Sequence, residues 1–124
     1  MASPVFKRFP AKWVKTRQPG NARYIEHSQV RQRMLKLQAD GELKSEWRII
    51  EFRDTDDGWI VHGRLTLIWH DGTELVGEVL GDPDRNVAAA ESRAYTRACA
   101  FFASVGLQAW TGEDGYWLDR DDAG

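Results

Sequence analysis

The stretch Trp59-Ile60-Val61-His62-Gly63-Arg64-Leu65-Thr66-Leu67-Ile68-Trp69-His70 decides the fold of this chain. Trp59, Val61, Leu65, Leu67 and Trp69 share one parity, and Ile60, His62, Arg64, Thr66 and Ile68 share the other. A strand points successive side chains to opposite faces, so this is a strand with one buried face. His70-Asp71-Gly72-Thr73 carries hairpin-turn chemistry, and residues 74–80 form the return strand. Upstream, Glu46-Trp47-Arg48-Ile49-Ile50-Glu51-Phe52-Arg53 fits another strand, joined through the Asp- and Gly-rich turn Asp54–Gly58. Three strands linked by two tight turns make a meander, so the sheet is antiparallel.

Helices flank the meander. In residues 26–39, Val30, Met34 and Leu37 recur at helical spacing, with Ile25 leading in and Arg31, Arg33 and Lys36 off the stripe. Ser28 is the candidate cap, and Asp40-Gly41 the stop. Residues 86–105 read as a long helix, with Val87, Ala90, Ala94, Ala98, Phe101, Phe102 and Val105 on its buried side and Gly106 as the stop. The expected fold class is α+β: a β-β-β-α core whose three-stranded antiparallel meander is packed by a long C-terminal helix, with a shorter helix and a basic arm before it.

The chain has 124 residues, 42% of them hydrophobic and 29% charged, which fits one folded domain, 1–124. Its net charge of −2 hides a split. Residues 1–53 hold 12 Lys/Arg against 5 Asp/Glu, a net of +7, and residues 54–124 hold 5 against 14, a net of −9. Such a division suggests a localised basic surface, or basic-on-acidic packing between copies. Residues 1–23 read as an irregular basic arm that alternates cations with Phe6, Phe9 and Trp13, and residues 111–124 as an acidic tail. Cys99 is the only cysteine, which excludes an internal disulfide and a cysteine zinc cluster. No apolar run is long enough for a bilayer, and Met1-Ala2-Ser3-Pro4 has no signal-peptide core, so the expected location is cytoplasmic.

Two features carry candidate chemistry. Arg93 and Arg97 sit four apart on one helix face, and no acid lies three or four residues from either. Like charges at that spacing destabilise a helix by a few tenths of a kcal/mol. An uncompensated breach of a local rule is where a functional site is expected. Two guanidinium forks suit consecutive phosphates. The structural alternative, slightly stronger on spacing alone, is that each arginine pairs with an acid from the tail or from a neighbouring subunit. The second feature is the basic first third, where phosphate neutralisation and base stacking would suit single strands. A solvated basic face with ordinary core aromatics explains the same residues.

Enzymatic patterns are weak. His27, His62 and His70 lack metal-ligand spacing, Asp54, Asp56 and Asp57 read as a polar turn, and no Walker loop, dinucleotide fingerprint or nucleophile elbow occurs. Cys99, between Ala98 and Ala100, reads as a buried inert thiol. ATP hydrolysis is not expected.

Three blocks together resemble the Rad fifty-two superfamily of single-strand annealing proteins, which has phage and bacterial members. These are Thr16-Arg17-Gln18-Pro19-Gly20 with Tyr24-Ile25-Glu26; Gly58-Trp59-Ile60-Val61 with Asp71-Gly72 and Val76-Gly77; and Ala90-Glu91-Ser92-Arg93-Ala94-Tyr95-Thr96-Arg97-Ala98 with Phe102 and Gly106. The resemblance covers roughly residues 12 to 110. It implies an annealing core over 24–110, a homo-oligomeric ring, single-stranded DNA in a basic groove, and annealing in recombination or repair without a nucleotide cofactor. It also makes a recombination exonuclease or recombinase a candidate partner. Arg17 matches the family's groove arginine and Arg97 the arginine of its Lys-Arg pair. Thr96 stands where the family has lysine, and Arg93, one turn earlier, is the inferred replacement. Lys15, Lys12 and Arg23 complete the expected DNA-binding set. The acidic Asp82–Asn86 region departs from the family's basic loop.

Two rival readings fit the same residues. One is a protein-interaction module whose basic arm docks an acidic partner. The other is a small hydrolase or nuclease using Asp54, Asp56 or the histidines.

Overall fold

The computed structural model describes residues 15–17, 22–24 and 26–105. Its elements run β1 (Lys15–Arg17), β2 (Ala22–Tyr24), α1 (His27–Ala39), β3 (Leu43–Thr55), β4 (Gly58–Trp69), β5 (Glu74–Leu80) and α2 (Val87–Ala103). The α+β architecture expected from the sequence is present: a meander in the order β3-β4-β5, antiparallel throughout, with one helix before it and one after.

β4 is central because its alternation can satisfy two layers at once. Val61, Leu65, Leu67 and Trp69 are buried, and the opposite parity is half-buried or exposed. The buried parity meets Val30, Met34 and Leu37 of α1 and Ala98, Cys99 and Ala103 of α2 in the main core, and Val61 meets Ala90 and Ala94 in a smaller one. Both helices therefore cover the same side of the sheet. Alanine at the buried positions of α2 lets the helix axis approach the strands closely.

The strands are longer than their hydrophobic pattern. β3 runs over Leu43–Thr55 rather than 46–53, with a bulge between Ile49 and Glu51. The turn shrinks to Asp56 and Asp57, with Thr55 paired to Gly58 and the Thr55 hydroxyl donating to the Gly58 carbonyl at 2.6 Å. Backbone pairing continues through these polar residues because a hairpin ladder needs no side-chain hydrophobicity.

Local corrections concern ends and edges. The cap of α1 is Glu26, with no side-chain capping bond, and Ser28 lies inside the first turn. Glu26 offers its backbone carbonyl to the Gln29 and Val30 amides at 3.0 and 3.2 Å. α2 starts at an Asn86 cap, whose side chain accepts from the Ala88 and Ala89 amides at 2.9 and 3.1 Å. It stops at Ser104, which takes the left-handed conformation (φ 59), two residues before the expected Gly106 stop, itself outside the described residues. Val87 and Phe101, expected on the buried side, are exposed. Lys15–Arg17 and Ala22–Tyr24, expected to be irregular, form an antiparallel strand pair.

One contact pins the connection between β5 and α2. Trp59 and Asp84 exchange backbone hydrogen bonds at 2.7 and 3.0 Å, adding one rung to the sheet beyond the end of β5. Gly58 permits this: its φ is +126, and a Cβ there would lie 2.7 Å from the Asp84 carbonyl carbon.

Candidate nucleic-acid interface

α2 presents Arg93 and Arg97 one turn apart, both partly accessible, with side chains 34% and 24% exposed. Their immediate surroundings come from the β5–α2 connection, not from the helix. Arg93 Nε lies 3.0 Å from Asp84 Oδ2, and Arg97 Nη2 lies 2.8 Å from Asp82 Oδ1. Arg97 Nη1 also donates to the Leu80 carbonyl at 2.6 Å. Gly81 makes this possible, because a Cβ there would meet Ala94 backbone atoms at 2.9 Å. The segment thus runs directly beside the helix turn that carries both arginines.

This changes the reading of the arginine pair. The like-charge spacing is compensated by two nearby acids. They belong to a six-residue connection that folds back over the start of α2, so they are close in space although 9 and 15 residues away in sequence. Asp84 also accepts from the Asn86 amide through Oδ1 at 2.9 Å, which ties the acid to the helix cap. Asp82 is the more exposed partner, with 52% of its side chain accessible.

Of the other expected site residues, Lys15 and Arg17 occupy the first and last positions of β1, and Arg23 is in β2, in register with Thr16. Lys12 lies outside the described residues. Arg93 and Arg97 are brought together on one helix face. The three arm residues are brought together in one two-stranded sheet, distinct from the meander.

A second polar cluster was not visible in the sequence. Glu91 receives Arg31 Nη2 at 2.8 Å on one carboxylate oxygen and Trp47 Nε1 at 2.8 Å on the other. The Arg31 guanidinium lies 4.2 Å from the centre of the Tyr95 ring, and Trp47 meets that ring edge-on at 5.4 Å. One carboxylate therefore ties α1, β3 and α2 together. Burial pushes the Tyr95 hydroxyl well above the usual phenol range, with Cys99 adding to the effect. Burial likewise pushes the Cys99 thiol up to about 12. Both groups stay neutral at physiological pH and serve as packing.

The residues of the nuclease alternative are scattered. Asp54 sits near the end of β3 and Asp56 in the β3–β4 turn, while His62, at 2.8 Å, shares Glu78 with Arg64. Among the described residues no three His, Cys, Asp or Glu side chains gather as a metal-binding group. Nor is any helix among them long and apolar enough to cross a membrane. Compared with family models and with curated proteins, the chain matches none.

Proposed function

We propose that this chain binds unpaired polynucleotide through the arginine face of α2 and promotes annealing of complementary strands without a nucleotide cofactor, as members of the Rad fifty-two superfamily do. The observation that carries the reading is the Arg93–Arg97 face. Two guanidinium groups stand on adjacent turns of a rigid helix, each held extended by a carboxylate. A positioned guanidinium loses less freedom on meeting a phosphate than a mobile one. Contacts of this kind read backbone charge and leave base edges open for a second strand. Lys12, Lys15, Arg17 and Arg23 would extend the contact along the strand. Homo-oligomerisation and a recombination exonuclease or recombinase as partner belong to the same proposal.

Binding on this face must displace Asp82 from Arg97. Asp82 is then a built-in competitor of phosphate, and removing its charge should strengthen binding. Fluorescence anisotropy with a labelled oligonucleotide tests this pair of opposites. Arg97→Ala should weaken binding several-fold, and Asp82→Asn should tighten it. Wild-type affinity in both variants would remove α2 from the interface. A complementary-oligonucleotide assay without ATP tests annealing itself.

One observation favours the second reading, a module for an acidic protein partner. Arg93 and Arg97 already donate to carboxylates, the group such a partner would supply. Competition distinguishes the two: a poly-glutamate chain displacing the oligonucleotide at equal charge concentration would favour the protein partner.

A further inference from the structure

We infer that the two free edges of the meander are complementary to each other, and that copies of this chain join by pairing β5 of one with β3 of the next. This deepens the homo-oligomer part of the function proposed above and does not depend on strand binding.

Among the described residues β5 and β3 each pair only with β4. The Gly81 amide donates to the Val61 carbonyl at 3.0 Å, so His62 and Leu80 form a non-hydrogen-bonded pair. By alternation Glu74, Val76, Glu78 and Leu80 all turn their peptide groups away from β4. Arg97 takes the Leu80 carbonyl and ends this row. The segment Glu74–Leu80 has no proline, no lysine and no bulge, and its only charges are Glu74 and Glu78. Val76 and Leu80 are 54% and 47% exposed on it.

Among the described residues β3 is guarded at one end only. Gln38 Oε1 accepts from the Ser45 amide at 3.0 Å, which shows that Ser45 faces away from β4 and closes the edge there. From Trp47 onward the outward peptide groups continue past exposed Ile49, Ile50 and Phe52.

Charge sets the register. On the helix-free side of the sheet, Lys44, Arg48 and Arg53 of β3 lie opposite Ile68, Arg64 and Ile60 of β4, so they recur every four rungs. The bulge at Ile49/Glu51 absorbs the extra residue between the last two. On β5, Glu74 and Glu78 also recur every four rungs on that side. Arg48 faces Arg64, a repulsive cross-strand pair, and Arg64 is committed to Glu78 at 2.8 Å. Among the described residues Lys44, Arg48 and Glu74 have no ion-pair partner within the chain. β3 and β5 run in the same direction, so a neighbour's β3 continues the sheet in parallel. Starting beyond the Gln38-capped end sets Arg48 beside Glu74 and Arg53 beside Glu78. A slip of two rungs would set Glu51 beside an acid, so one register is preferred. The interface is head-to-tail, which closes into a ring or extends as a filament.

The experiment is native mass spectrometry and analytical ultracentrifugation of the full chain over a concentration series. Wild type should assemble. Arg48→Glu and Glu74→Lys should each move the assembly midpoint at least tenfold higher in concentration, and an equimolar mixture should regain most of the loss, since each variant offers its partner a matching charge. Arg48→Glu also turns the pair with Arg64 from repulsive to attractive, and circular dichroism checks that both variants keep the fold. Val76→Pro removes an outward amide without breaking the β4 ladder and should give a monomer. A monomeric wild type, variants that assemble like wild type, or a mixture that stays dissociated would each overturn the pairing. Oligonucleotide binding measured on monomeric Val76→Pro is a separate readout, so strand binding and edge pairing stand or fall apart.

Discussion

At the scale of single residues, Glu91 joins three elements through one carboxylate. It satisfies Arg31 and the Trp47 indole together, and both partners pack on Tyr95. Glu91→Ala leaves a half-buried indole N–H and a guanidinium without their acceptor. Hydrogen bonds to charged groups contribute about 1.5–3 kcal/mol each, but the Arg31 side chain is 37% exposed and its pair is worth little, so the expected loss in urea unfolding is about 2 kcal/mol. Glu91→Gln keeps an acceptor for Trp47 and should lose less than half of that. The acid of the Ala90–Ala98 motif thus has a structural duty. So does the pair Gly77 and Phe102: a Cβ on Gly77 would lie 2.4 Å from the Phe102 ring. These residues were legible as a pattern but not as a contact, because the chain places them 25 positions apart.

Among the elements, the two helices and the three meander strands were legible because their periods were clean, whereas β1 and β2 were not. The parity of β4 and the Val30, Met34, Leu37 stripe of α1 marked buried faces that the structure bears out. What failed was decided by neighbours. Phe101 shares a helix side with apolar residues, yet it remains 54% exposed. Asp82 and Asp84 lie outside helix spacing of the two arginines, so nothing in the local pattern marks them as partners. An element-scale prediction concerns the β4–β5 pair. Arg64 foremost, then His62, holds the Glu78 carboxyl below its ordinary value of 4.5. A carboxylate whose folded value is depressed adds stability above its unfolded value and loses it as pH falls through the folded one. Urea midpoints measured downward from pH 6 should therefore decline below about pH 4.5, and Glu78→Gln should flatten that decline. A decline identical in both proteins would assign the effect elsewhere.

For the molecule as a whole, the charge split resolves into specific meetings. Arg31 of the basic part reaches Glu91 of the acidic part, while Arg93 and Arg97 are balanced inside the acidic part itself. Salt should report which cations bind nucleic acid. For single strands the slope of log affinity against log salt changes by roughly 0.7 for each phosphate neutralised. Arg97→Ala should reduce the slope by about that amount, whereas Asp82→Asn should raise affinity with the slope nearly kept; anisotropy titrations from 50 to 300 mM salt, roughly the range where such slopes are read, would measure both. An unchanged slope in Arg97→Ala would place the phosphates elsewhere. By itself, the amino-acid order determined the two helices, the antiparallel meander and the face of β4 that is buried, because these follow from side-chain period and turn chemistry over neighbouring residues. Only the tertiary structure decided which acids neutralise Arg93 and Arg97, what Glu91 holds, and which strand edges stay open. Those depend on where a connection folds back in space, and residues that meet there carry no mark of it in their local sequence.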